Sequence, residues 1–250
     1  MIDLVSWNVL ADAYVRAEYF PSTPAALLVP GARTGAITAR LGASAADIVC
    51  LQEVEPALVT ALRGLPSFEV RTLRKGRGKP DGCALLTRRE RVVVEELREL
   101  VYPDGSGHVA MLAIVRVEGE RLGVATTHVK WDPPGTAEAD RWATRQFGAL
   151  VSAMKERDVA WVACGDFNVT PDDPVLGVLR DGHRDVYAGT AEEKPTVNAN
   201  GRPKRIDYVF ADDRLRATPR ALADLDAATP LPSAREPSDH LPIGALLSRA

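Results

Sequence analysis

The chain has 250 residues, 46% of them hydrophobic and 26% charged, with a net charge of −3. That balance suits a globular fold with a substantial core, and it excludes both a disordered chain and a nucleic-acid binder that works through an overall basic field. No apolar run approaches the ~20 residues that span a bilayer and no secretory leader is apparent, so a membrane is not an expected partner.

In chain order, the apolar run from Ile2 to Asn8 reads as a first strand. Arg33 to Ala45 reads as a helix, with Ile37 and Leu41 four apart on one face. Asp47 to Glu53 is a second strand, and Pro56 opens a short helix that runs to about Leu62. Strands at Phe68 to Leu73 and Cys83 to Thr87 flank a glycine-containing basic loop. Arg91 to Val101, Val109 to Val117 and Glu120 to His128 read as three further strands. His108, beside the Asp104-Gly105-Ser106-Gly107 turn, reads as a turn or surface residue. Glu138 to about Arg157 is the longest helix, with Trp142, Phe147, Leu150, Val151 and Met154 at core spacing. Val159 to Asp166 follows as a strand buried on both faces. Pro174 to Leu179 is a short helix, His183 a turn residue, and Tyr187 to Pro203 polar and turn-like. Ile206 to Phe210 and roughly Arg214 to Leu222 are expected to form a hairpin. Leu241 to Leu247 closes the chain. No repeat or linker interrupts it, so one domain over 1–250 is expected.

Several of these strands end in polar side chains. Asn8, Gln52-Glu53 and His128 close apolar runs, and Gly165-Asp166-Phe167-Asn168 closes another. Residues two apart in an extended chain share a face, so Asp166 and Asn168 point one way and Phe167 the other, into the core. Asp207 opens its strand instead of closing it, and an antiparallel course would bring it to the same rim. Ser238-Asp239-His240 lies between Pro237 and Pro242. Cys50, Cys83 and Cys164 are odd in number and unclustered, which argues against a disulfide framework or a structural zinc site and makes the cytoplasm the expected compartment.

Taken in order from Trp7 to His240, these pieces resemble the endonuclease/exonuclease/phosphatase superfamily. The resemblance implies an α+β fold, a four-layer α/β-β/α sandwich of two packed, mostly antiparallel sheets flanked by helices. It implies metal-dependent phosphoester hydrolysis, with Glu53 as main metal ligand and Asn8 and Asp239 beside it. Asp166 would position or deprotonate the water, Asn168, His128 and His240 would bind phosphoryl oxygens, and Asp207 would steady a histidine. Converging carboxylates need a hard cation, so Mg²⁺ or Mn²⁺ is the expected cofactor.

His128 followed by Lys130-Trp131-Asp132-Pro133, together with Asp81-Gly82-Cys83-Ala84, is similar to the deadenylase group that includes nocturnin and the Angel proteins. That implies RNA or nucleotide ends as substrate. DNA is a possible partner under a DNA-repair reading, and a catalytically inactive binding module is the alternative of another class. Local positive charge is available for substrate binding: Arg74, Lys75 and Arg77 in the basic loop, and Arg202 and Lys204, with Arg205, before Asp207. The plain alternative for the loop is a solvated hairpin tip.

Overall fold

A computed structural model describes residues 1–250. The strands are β1 (Ile2–Asn8), β2 (Ile48–Gln52), β3 (Phe68–Arg74), β4 (Gly82–Arg88), β5 (Val92–Val101), β6 (Val109–Val117) and β7 (Glu120–His128). They continue as β8 (Trp161–Asp166), β9 (His183–Asp185), β10 (Val197–Ala199), β11 (Arg202–Lys204), β12 (Asp207–Asp212), β13 (Leu215–Pro219) and β14 (Ile243–Arg249). The helices are α1 (Thr34–Gly42), α2 (Pro56–Arg63), α3 (Trp142–Lys155) and α4 (Gly177–Arg180).

Two six-stranded sheets carry the fold, in the orders β13-β14-β1-β2-β4-β3 and β5-β6-β7-β8-β12-β9. Each has one parallel pair at its centre, β1–β2 in the first and β7–β8 in the second. The other neighbours run antiparallel. The period-2 alternation of the strands assigns their residues to layers. Leu4, Ile48, Cys50, Leu85, Met111, Val124, Val162, Cys164 and Val209 fill the space between the sheets. The opposite residues of the first sheet, such as Val5, Trp7, Val49 and Leu51, pack under α1 and α2. Those of the second, such as Trp161, Ala163, Tyr208 and Phe210, pack under α3 and α4. The result is a four-layer sandwich, helix–sheet–sheet–helix. No helix is long and apolar enough to cross a membrane.

The structure corrects several readings. The long helix begins at Trp142, with a separate 3₁₀ turn at Glu138–Asp140. The carboxylate of Asp132 accepts from the backbone N–H groups of Trp142 and Ala143, capping the helix from ten residues upstream. Trp142 is half-buried instead of core, with the Lys130 ammonium 3.8 Å from its ring centroid. Residues 206–222 form no hairpin, because β12 pairs with β8 and β9 while β13 crosses to the other sheet and pairs with β14. His183 opens the short strand β9. The stretch from Tyr187 to Pro203 contains the β10 strand of a two-stranded hairpin with β11; three-residue strands are too short to leave a pattern.

Candidate active site at the rim of the two sheets

Both central parallel pairs end at the same rim. Asn8 ends β1 and lies on the inter-sheet side with Leu4; His128 ends β7 on the side of Val124, and Asp166 ends β8 on the side of Cys164. Antiparallel β12 enters at this rim, and its register sets Asp207 opposite Asp166. Glu53 follows β2 and by strand parity would point toward the helices. Its left-handed backbone, φ 62°, ends the strand and turns the side chain into the site. Asn168 is likewise left-handed, φ 55°, so it reaches the site through a turn and not along an extended strand. Gly165 makes the approach of β7 and β8 feasible: at φ 144°, a Cβ would stand 1.9 Å from the Thr127 carbonyl oxygen.

The side chains close into one network. Asn8 Nδ2 donates to Glu53 Oε1 at 2.9 Å and to Asp166 Oδ2 at 3.0 Å, bridging the sheets. Its Oδ1 accepts from the Leu10 N–H, and Glu53 Oε2 accepts from the Ala11 N–H. Asp166 Oδ2 lies 3.6 Å from His128 Nε2 and 3.8 Å from His240 Nε2. His240 Nδ1 is 2.9 Å from Asp207 Oδ2, which also accepts from the Thr196 hydroxyl. Asn168 Nδ2 donates to the Val129 carbonyl at 2.9 Å and lies 3.1 Å from His128 Nε2.

Burial drives the electrostatics. It pushes the Asp166 carboxyl up to about 7, helped by Asp207 and Glu53 and opposed by His240. Burial also raises Glu53 and Asp239. At His240 burial works against the charged ring, but Asp207, Asp239 and Asp166 outweigh it and hold its pKa well above the usual value. His128 is pushed well down by burial and by the Lys75 ammonium, so it is a neutral imidazole. Glu53, His128 and Asp166 bring ligand atoms within 4.8 Å of one another, as do Asp166, Asp207 and His240. Asp239 stands outside both groups, its Oδ1 4.0 Å from His240 Nε2.

The basic residues divide. Arg202 and Lys204 line a cavity with Trp131, Asn168, Asp239 and His240. Arg74, at the end of β3, and Arg77, on the β3–β4 loop, are exposed. Lys75 leaves their company: it is buried, with its ammonium 2.6 Å from Asp81 and 3.1 Å from His128 Nδ1. Arg205 is buried too, paired with Asp185 and Glu193 and stacked on Tyr208. His108 is a buried residue and not a surface one, its Nδ1 2.8 Å from the His128 carbonyl. Three other contributors leave no local signal in the sequence: Tyr14 donates to Asp81, Thr196 to Asp207, and Arg33 to the carbonyls of Val9, Leu10 and Pro237. Trp131, of the motif that follows His128, stands exposed on the cavity wall.

A family model described as "Endonuclease/Exonuclease/phosphatase family" matches residues 5–240. The chain belongs to the endonuclease/exonuclease/phosphatase family. Among curated members, it is 27% identical to Carbon catabolite repressor protein 4 homolog 4 of Arabidopsis thaliana, over 97% of this chain and 76% of that protein. It is 24% identical to human 2',5'-phosphodiesterase 12 over 96% of this chain, and spans about half of that protein's length (50%). The fold of this family member is also that of ANGEL2, a 2',3'-cyclic phosphatase solved with adenosine-2',3'-vanadate, at a TM-score of 0.84 and 18% identity, covering 98% of this chain and 95% of that one. The human Nocturnin catalytic domain with a bound sulfate superposes at a TM-score of 0.79 and 21% identity, covering 100% and 93%. The sandwich and the relationship to the deadenylase group are those the sequence suggests.

Proposed function

We propose that this chain is a divalent-metal-dependent phosphoesterase acting at RNA or nucleotide ends, as a 3′-exoribonuclease or a 2′,3′-cyclic phosphatase. The observation that carries this reading is the meeting of Glu53, Asp166, Asn168, His128 and His240 at one rim, with the carboxylates raised by burial. Buried oxygen donors that resist ionisation suit a hard cation such as Mg²⁺ or Mn²⁺. Glu53 would hold it, with Asn8 and Asp239 close by; when bound, it supplies Lewis-acid neutralisation of phosphate charge. Asp166 orients the attacking water and takes its proton, a task suited to a carboxylate near 7. His240, charged and fixed by Asp207, donates to a phosphoryl oxygen. Asn168 and His128 donate to another. Arg202 and Lys204 hold flanking phosphates, and the exposed indole of Trp131 offers a face for a base. Three buried free thiols suit a reducing compartment, so we place the chain in the cytoplasm.

The test is a panel of labelled RNA 3′ ends, 2′,3′-cyclic phosphates, nucleotides and DNA, each with Mg²⁺, Mn²⁺ or EDTA. Metal-dependent turnover highest on an RNA or nucleotide end is expected. Faster cleavage of abasic duplex DNA would favour the repair reading. Binding without hydrolysis of any substrate would favour the inactive module.

A further inference from the structure

Lys75 is the one basic residue of its loop that the fold withdraws from solvent. Its side chain is 1% exposed and that of its partner Asp81 0%. The pair is tied in twice: Lys75 Nζ lies 2.6 Å from Asp81 Oδ2, and the Lys75 N–H donates to the Asp81 carbonyl at 3.0 Å. The other carboxylate oxygen, Oδ1, accepts from the Tyr14 hydroxyl at 2.7 Å. What this assembly presents to the site is a single ammonium donor, 3.1 Å from His128 Nδ1.

An ammonium only donates, so the ring nitrogen facing it must carry its lone pair. In a neutral imidazole the proton then sits on Nε2. That nitrogen lies 3.1 Å from Asn168 Nδ2, whose orientation is fixed by donation to the Val129 carbonyl. Two N–H groups side by side have no acceptor in each other. They share one only when an oxygen enters between them, which is what a phosphoryl oxygen supplies. The other tautomer would pair Nε2 with Asn168 directly. With its proton on Nδ1, the ring would face Glu53 Oε1, 3.8 Å away, and Nε2 would accept from Asn168. Both donors would then be withdrawn from the substrate.

We propose that Lys75, held by Asp81 and Tyr14, is a positioning residue that fixes His128 as an Nε2–H donor toward the phosphoryl group. The proposal rests on the phosphoesterase reading for its consequence, but the tautomer does not depend on it.

Lys75→Met alone would strand a buried carboxylate and threaten folding. The double variant Lys75→Met/Asp81→Asn removes both charges together. Thermal melting verifies its fold, and ¹⁵N-histidine NMR, with the His128 signal assigned through His128→Gln, reads the tautomer in unliganded protein. Steady-state hydrolysis of bis(p-nitrophenyl) phosphate with Mg²⁺ reads the consequence. The expected result is an Nε2 proton in the wild type, an Nδ1 proton in the folded double variant, and kcat lower by about 10²-fold with KM within about threefold. An Nδ1 proton in the wild type overturns the proposal whatever the variants do. So does a folded double variant that keeps the Nε2 proton, or one that changes tautomer at unchanged kcat. If the wild type hydrolyses no phosphoester at all, the functional reading fails while the NMR still decides the role of Lys75.

Discussion

At the scale of single residues, the site is a set of donors and acceptors with few substitutes. Glu53 is placed by a left-handed backbone and held by Asn8 and the Ala11 N–H. Glu53→Gln keeps size but removes the charge and turns one of the two accepting oxygens into a donor, so it is expected to abolish most turnover while leaving the melting temperature near that of the wild type. Near-normal turnover at saturating Mg²⁺ would remove Glu53 from the proposed metal site. Asn168→Ala deletes the side-chain amide donor, and Asp166→Asn removes the proposed base. Each is expected to lower kcat on the order of 10²–10³-fold with a smaller change in substrate affinity, and steady-state kinetics that moved only KM would contradict these roles. The members of the network that end or open apolar strands are legible in the sequence because a polar residue closing an apolar run stands out. Tyr14, Thr196 and Arg33 are not legible as site residues, and Lys75 is legible only as a substrate-binding member of the basic loop, not as a partner of His128. Tyr14 meets Asp81 across 67 positions, and Arg33 meets Pro237 across 204, and no local pattern encodes such a meeting. Lys75 reads as one basic residue among Arg71, Arg74, Arg77 and Lys79, and only burial separates it from them.

At the scale of elements, strands with strong alternation can be placed nearly to the residue, because one face of each has to reach the inter-sheet core. Pairing across sheets is harder: β12 and β13 are adjacent in sequence but diverge into different sheets, and a tight Asp-Asp turn disguises the crossover. The hairpin of β10 and β11 escapes notice for its brevity, yet it carries Arg202 and Lys204 to the cavity. Replacing both with alanine is expected to weaken binding of a short oligoribonucleotide and to reduce the slope of log K against log salt by about one to two, since fewer phosphates are neutralised and fewer counterions set free. Hydrolysis of bis(p-nitrophenyl) phosphate should change little. Equal effects on both substrates, measured across a salt series, would mean that the hairpin shapes the catalytic centre instead of extending it.

At the scale of the whole molecule, the site is a burden on the fold that carries it. Asp166 titrates near 7 against an ordinary 3.8, so between those values the folded chain keeps a proton that the unfolded chain has lost. Stability from this group therefore falls as pH rises through that window, and the full cost remains above it. Glu53 and Asp239, raised in the same direction, add to the trend. His240, raised above 6.5, also contributes stability at low pH that is lost on going up, while the lowered His128 opposes it. Metal-stripped protein is expected to melt at least about 5 °C lower at pH 8 than at pH 5. Millimolar Mg²⁺ or Mn²⁺ should recover most of that difference at pH 8 and little at pH 5. A melting temperature that rises with pH in EDTA would refute this, and calorimetry in matched buffers would show it.

The cross-sheet bridge from Asn8 to Asp166 also bears on motion. Glu53 stands on one sheet and Asp166 on the other, so the Asn8 amide that donates to both acts as a clasp across the seam of the sandwich. Its release would loosen two layers at once. Amide hydrogens along β1, β2, β7 and β8 would exchange faster together, far from the rim, while the outer strands β3 and β5 kept their pace.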